Sequence, residues 1–449
     1  MKRSAFEVHM NTFRDYMRTS PIGLRIAKGT LWSVIGAVFS RVFALLTSIV
    51  VARFLGKQGF GEYGIIQSTV VMMGVFASLS TGLTATRYVA QFRKEDPGKV
   101  GRILGGSTLV SLLFGGVISC GLALFAPWIA RHSLAAPHLA DALRIAAPSL
   151  LLSTLNGVQV GALAGFESFR ALSRINLLTG LASFAAMTAG VVFYDLHGVI
   201  WGYNLSLLIS CLITQRVLRS VTRENGIRFE YRESIKELHV LWNFSLPAML
   251  ANSLIGPITW ICNTMLVNQP NGYGEMGIYS AASQWRQMML FLPGMVTQVL
   301  LPVMASSYRQ QSVSKQLWLN LWINMIISLP LLLVMTCMSG IIMGAYGTSF
   351  SVGWLTFVLV QSATFLQVIQ SPVVTFWAIS GQMWTNFFAN LTWGVTLIAL
   401  SWMLIHRGAL GLALALLISF GIFGLMMIAL IPRTINKFIR ENAHDLPAL

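Results

Sequence analysis

Long apolar runs alternate with short polar interruptions from near residue 28 to near residue 432. Each run reaches the length of about 18 residues at which an α-helix crosses a bilayer. The pattern predicts twelve spans, near residues 28–52, 64–86, 104–130, 143–165, 172–193, 197–215, 241–266, 279–305, 317–343, 351–379, 384–405 and 409–432. Backbone polar groups inside lipid must be satisfied within the segment, so every span is expected to be helical. The sequence lacks the ten-residue alternation of a transmembrane β-barrel. The first apolar run, starting near Gly29, is too long for the core of a cleavable signal peptide, and none is expected. The fold class that follows is an all-α integral membrane protein.

Composition agrees with that pattern. Only 10% of the residues are charged, against about 25% in soluble domains. A mean hydropathy of +0.68 excludes an ordinary soluble chain. The net charge of +16 would suggest nucleic acid in a soluble protein, but here the basic residues alternate with topology. Most of the 31 Lys and Arg fall on the connecting segments that share a side with the N-terminus. Positive segments stay cytoplasmic, so both termini are expected inside. The excess charge then serves topology and contacts anionic membrane lipids. No basic face is interleaved with aromatics, so no nucleic-acid partner is expected. Cys120, Cys211, Cys262 and Cys337 all lie within apolar runs. They read as small core residues, not as a disulfide framework or metal site. Neither a metal nor a cofactor is expected.

One short motif occurs twice. "GFGEYGI" at 59–65 returns as "GYGEMGI" at 272–278, an offset of 213 residues (59 to 272) and nearly half the chain. Each copy lies between two spans, joining the first to the second and the seventh to the eighth. A period of six crossings returns the chain to the same side, so two six-helix lobes are expected, related by a pseudo-two-fold along the membrane normal. The boundaries are a basic N-terminal cytoplasmic segment at 1–27, an N-lobe at 28–215, a cytoplasmic linker at 216–240, a C-lobe at 241–432 and a cytoplasmic tail at 433–449. The heptad glycines suit a tight turn between helices, where positive φ is needed. Glu62 and Glu275 suit the positive end of the helix that follows. Gly61, Glu62, Gly274 and Glu275 therefore mark the repeat turn and an outer gate.

Candidate chemistry comes from polar groups inside the spans. No Asp or Glu occupies the middle of any span, whereas Arg41 and Arg286 do lie within them. An arginine at mid-membrane costs roughly 2.5–3.5 kcal/mol on insertion scales and is expected to face protein or water. Ala37, Ser40, Ala44, Thr47 and Ser48 are read as sharing the helical face of Arg41. Further uncharged groups are Asn156 and Gln159 in span four, Asn252 in span seven, Gln287 in span eight and Gln367 in span ten. Arg53, Arg87 and Arg144 sit at span ends, where snorkelling to the interface is the competing reading. Each uncharged group alone is explained by interhelical hydrogen bonding. Together they describe a wet pocket whose only fixed charges are positive. The planar guanidinium suits phosphate, and a lining of hydroxyls and amides suits sugars. A polyprenyl pyrophosphate-linked oligosaccharide combines both chemistries.

The stretch "KGTLWSVIGAVFSRVFALLTSIVVARFLGKQGFGEYGIIQS" from Lys28 to Ser68, together with the second heptad, resembles the Wzx-type polysaccharide transporters. These belong to the multidrug/oligosaccharidyl-lipid/polysaccharide exporter superfamily. The resemblance implies alternating access by two six-helix lobes in the bacterial inner membrane. It also implies flipping of undecaprenyl-pyrophosphate glycans (O-antigen, capsule or exopolysaccharide repeat units) to the periplasmic leaflet. The family's cationic cavity maps onto Arg41 and Arg286, and polysaccharide polymerase machinery is a further expected partner. Related multidrug exporters carry membrane-embedded carboxylates, and residues 28–52 contain none. That departure counts against a drug exporter and leaves the coupling ion unassigned. A multidrug or peptidoglycan-precursor exporter of the same superfamily is the first alternative. A membrane-embedded glycan polymerase or glycosyltransferase is another class. It would need an acid or base in a sizeable outer loop, whereas Asp141, Asp195, His132 and His138 are scattered through short ones.

Overall fold

Apolar helices longer than a bilayer requires are broken where the backbone enters left-handed φ. The computed structural model of the chain describes residues 21–230, 234, 253–307, 313–380 and 382–442. The first helix, α1 (Pro21–Ser78), has 58 residues, about 87 Å at 1.5 Å per residue. It bends at Gly56, where φ is 69°, a conformation that only glycine adopts without strain. The 56-residue α6 (Phe169–Glu224) breaks at Tyr194 and Asp195, with φ 49° at the aspartate. A third break falls at Gly408 (φ 64°), between α12 (Met383–Leu404) and α13 (Gly408–Asn442).

The remaining helices are α2 (Thr81–Phe92), α3 (Pro97–Trp128), α4 (Ala140–Ala146), α5 (Pro148–Gly165), α7 (Ile255–Val267), α8 (Gly272–Ser307), α9 (Val313–Cys337), α10 (Ser339–Tyr346) and α11 (Trp354–Ile379). No strand occurs among the described residues. Seven helical stretches there are long and apolar enough to cross a membrane, and the three longest have 43, 56 and 52 residues. Large apolar side chains are exposed along these stretches, among them Val71, Leu113, Leu124, Phe193, Ile326 and Leu425. In water such a surface would aggregate, and acyl chains are its natural solvent.

Several expected boundaries move. The second span ends at Ser78, not near residue 86, because Leu79 and Ser80 take positive φ and α2 begins afresh at Thr81. The helix of the sixth span continues through 216 to Glu224. Gly226 (φ 69°) terminates it, with Ile227 N–H returning 2.8 Å to the Thr222 carbonyl. The ninth span stops at Cys337, and α10 is a separate helix. Most of the seventh span lies outside the described residues, as does Asn252. Cys211 and Cys262 are buried as expected, whereas Cys120 and Cys337 are exposed on apolar helices. A thiol is apolar enough to face lipid as readily as core.

The heptad glycines do not form the turn. Both copies are helical, and the positive φ falls just before each one, at Gly56 and at Asn271 (φ 57°). What the heptad glycines provide is close approach. α1 packs most extensively on α6 and next on α8, and the α8 contact runs through the two heptads. A Cβ added at Gly61 would strike the Tyr273 carbonyl and crowd the Gly277 nitrogen. One added at Gly64 would strike Ser280 and crowd Met276, and one at Gly277 would strike the Lys57 carbonyl. A step of three residues along one helix is thus matched by a step of three along the other, so the two helices run parallel, with Gly61 meeting Tyr273 and Gly277 and not its own counterpart Gly274.

Candidate functional site

Hydrogen bonds between the two halves of the chain cluster at the heptad end of the bundle. Arg53 Nε donates to the Ala345 carbonyl at 2.7 Å, and Tyr273 Oη donates to the Leu134 carbonyl at 2.7 Å. Asn268 Nδ2 reaches the Ser133 carbonyl at 2.8 Å, and Trp260 Nε1 donates to Thr69 Oγ1 at 3.0 Å. Asn263 Nδ2 donates to Ser68 Oγ at 2.9 Å. The two heptad glutamates differ. Glu62 pairs with His138 of its own half at 3.1 Å. Glu275 pairs across the halves with Lys57 at 3.7 Å and accepts the Ala409 N–H at 2.9 Å. Ala409 N belongs to the first turn of α13, one of the amides an α-helix leaves unbonded. Glu275→Ala should therefore cost about 1–2 kcal/mol, mostly as a lost cap, since an ion pair near the surface adds under about 1 kcal/mol. Glu275→Gln should keep more than half of that, and melting in detergent compares the two.

Immediately inside this seal lies Tyr346. Its hydroxyl receives Ser48 Oγ from α1 at 3.4 Å and Trp285 Nε1 from α8 at 3.2 Å. Phe60 and Phe350 surround its ring at centroid distances of 6.1 and 5.9 Å. Ser48 therefore marks the side of α1 that faces the other half. Arg41 lies seven residues earlier on the same stripe, two helical turns further in. It is exposed and makes no hydrogen bond among the described residues. Ser40 and Thr47 do not share that side. A Cβ at Gly180 of α6 would sit 3.3 Å from Ser40 Cα, and Thr47 is buried, donating to the Phe43 carbonyl at 2.7 Å.

Arg286 follows Trp285 on α8. Its Nη2 donates to Gln367 Oε1 of α11 at 2.7 Å, and its guanidinium lies 5.9 Å from the Phe420 ring centroid, within cation–π range. No ion pair to Arg286 occurs among the described residues, so an amide and a ring face accommodate a half-buried cation. Gln287, next along α8, is exposed. This arrangement holds the guanidinium in place and leaves its charge available to an anion.

The structure brings the other sequence candidates to different partners. Asn156 donates to Ser210 Oγ at 3.0 Å and Gln159 to Gln215 Oε1 at 2.9 Å, joining α5 to α6. Arg144 pairs with Asp141 at 2.9 Å on an exposed turn, and Arg53 is committed to Ala345. Arg87 is exposed, 5.7 Å from the Tyr88 ring. Gly274 packs against Lys57 and Asn271. Sequence reasoning missed Tyr346, Trp285, Lys57 and Phe420. Only Lys57, a charge two residues before a repeated heptad, carried a readable signal.

Residues 26–308, more than half of the chain, match the family model described as polysaccharide biosynthesis protein. EpsE, the EPS I polysaccharide export inner membrane protein of Ralstonia nicotianae, is 23% identical over 401 residues, covering 85% of this chain and 89% of that protein. A putative O-antigen transporter of Shigella flexneri is 22% identical, covering 71% of this chain and 76% of that protein. The lipid III flippase of Escherichia coli is 20% identical, covering 65% and 70%. Among solved structures, an inward-facing multidrug resistance MATE family transporter superposes with a TM-score of 0.72 at 13% identity, covering 90% of this chain and 99% of that one. The lipid II flippase MurJ, in an inward closed conformation, gives 0.69 at 14% identity, covering 93% and 94%. An all-helical membrane fold, a heptad-sealed bundle end and this family match converge: the chain belongs to the polysaccharide biosynthesis protein family, and is a membrane transporter rather than an enzyme.

Proposed function

We propose that this transporter flips an undecaprenyl-pyrophosphate-linked oligosaccharide, an O-antigen, capsule or exopolysaccharide repeat unit, from the cytoplasmic to the periplasmic leaflet. Two six-helix lobes with cytoplasmic termini rock about the heptad contact. Dividing α1, α6 and the α12–α13 stretch at Gly56, Asp195 and Gly408 raises the seven membrane-length stretches to ten, and the apolar α7 and α8 bring the crossings to twelve. The heptad end is then periplasmic, and the conformation described is sealed on that side.

The observation that carries this reading is Arg286, held by Gln367 and Phe420 with no carboxylate beside it among the described residues. Arg41 lies on the stripe of α1 that faces the other half and has no partner of its own among the described residues. A diphosphate supplies the missing negative charge, and its lipid tail stays in the bilayer. A cationic drug would meet repulsion at both positions. The named activities of the polysaccharide-export and O-antigen relatives favour the same cargo class.

A voltage should assist the export. One charge crossing 100 mV is worth about 2.3 kcal/mol, so a diphosphate with two charges gains on the order of 4–5 kcal/mol if it crosses the whole field. Proteoliposomes loaded with a fluorescent undecaprenyl-diphosphate oligosaccharide test both parts. Protein-dependent flipping that accelerates under a potential negative on the cytoplasmic side is expected. Flipping no faster than in empty liposomes would refute the transport reading, and flipping indifferent to voltage would refute the electrical one.

A further inference from the structure

A cleft of about 500 Å³ opens at the heptad end between the two halves of the chain, and neither Arg41 nor Arg286 lines it. Its walls combine two indoles, Trp260 of α7 and Trp402 of α12, with His132, Thr264, Asn268 and Gln269. The volume falls within the ordinary range of small-ligand sites, about 300–1,000 Å³. His132 is the sole ionisable side chain among the described residues lining it.

The polar groups have specific capacities left over. Both Asn268 amide hydrogens are committed, to the Ser133 and Thr264 carbonyls at 2.8 and 2.9 Å, so its side-chain oxygen remains to accept. Gln269 has no side-chain partner among the described residues, leaving its amide to donate and to accept. The Thr264 hydroxyl oxygen is buried without a partner among the described residues. The bond from Trp260 Nε1 to Thr69 fixes the first indole. The second, Trp402, is 73% exposed near the end of its helix.

We propose that this cleft is an exit subsite for the neutral sugar portion of the glycan, a reading that rests on the function proposed above. Pyranose rings present apolar C–H faces that pack on indoles and equatorial hydroxyls that pair with amides. A lining without lysine or arginine among the described residues offers a phosphate no permanent positive charge, which disfavours the diphosphate and a phospholipid headgroup alike. Trp402, at the rim, has the amphipathic ring that membrane interfaces favour, so the lipid tail stays in the bilayer beside it while the sugars enter the cleft. His132 and Ser133 come from the N-terminal half and the other lining residues from the C-terminal half, so a glycan held there touches both.

The test is site-specific photocrosslinking in the full-length protein, in cells that make the glycan. p-Benzoylphenylalanine at Gln269 should yield an adduct that carries glycan and vanishes when the first sugar transfer to the lipid is blocked. Trp402→Ala should lower that adduct about five- to tenfold, and Trp402→Phe should restore most of it, since an aromatic face is what the sugar uses. Removing so exposed a side chain leaves the core intact, which a melting curve checks. The same photoreactive residue at Gln287, beside Arg286, reports on the central pocket. A glycan adduct at 287 with none at 269, a phospholipid adduct alone at 269, or a 269 adduct indifferent to Trp402→Ala overturns the exit subsite while sparing the transport reading. Glycan at neither position overturns both.

Discussion

Replacing Arg286 with alanine is expected to abolish glycan export while the protein still accumulates in the membrane. The guanidinium is held at 2.7 Å by Gln367 and lies over Phe420, so its charge sits where water screens it poorly. Truncating one member of a desolvated charged contact typically costs 2–5 kcal/mol. At about 1.4 kcal/mol per decade, that is a loss of roughly thirtyfold to several thousandfold. Stability should suffer little, because removing a cation without a carboxylate partner also removes its desolvation cost. Arg286→Lys separates charge from shape, since the ammonium keeps the charge and loses the two-pronged fork. Partial export is expected from it. Arg41→Ala should act in the same direction and more weakly, because Arg41 is exposed and no side chain among the described residues holds its guanidinium in place. Surface glycan in a strain depending on each variant, read beside an immunoblot of the membrane fraction, measures these effects. Normal export by Arg286→Ala would remove that residue from the binding pocket.

Gly61→Ala should have the other large effect. The added methyl would collide with the Tyr273 carbonyl, a backbone atom held in a helix, so neither side can yield by rotating a side chain. Overpacking of this kind costs about 1–3 kcal/mol, enough to shift the ratio of sealed to open conformations by roughly five- to 150-fold. Cysteines at Ser133 and Asn268, whose backbone and side chain meet in the seal, report its closure in a protein cleared of its four native cysteines. Disulfide yield should fall in Gly61→Ala and persist in Gly116→Ala, because a Cβ at Gly116 meets nothing within 4 Å. Equal yields in both would mean the seal does not depend on the glycine contact.

The all-helical fold and its membrane-crossing stretches were legible because lipid enforces one simple rule, an unbroken apolar run for each crossing. The breaks were less so. Leu79 and Ser80 interrupt a run that remains apolar on both sides, and no hydropathy pattern records a change of φ. The heptad was readable as a repeat but not as a contact. Its glycines suit a turn and a close helix approach equally, and only the position of α8 against α1 decides between them. For the site, spacing placed Arg41 and Arg286 inside spans, yet periodicity gives a helix face without naming what it meets. Ser40 and Ser48 both follow Arg41's face in the sequence pattern. One packs on α6 and the other reaches Tyr346. Asn156 and Gln159 have the same composition as a polar pocket and are joined to α6 by amide hydrogen bonds.

The close fit of the two heptads bears on ancestry. The two copies of a duplicated motif pack against one another along parallel helices, staggered so that Gly61 meets Tyr273 and Gly277 and not its counterpart Gly274, a joint of the kind that two copies of one chain can form. A half-length forebear with a single heptad could have paired with its twin through the same glycines, and fusing the two genes would have preserved that joint within one polypeptide. The divergence between Glu62, which stays within its own half, and Glu275, which reaches across, is then the kind of specialisation that duplication permits once the partners no longer share a sequence.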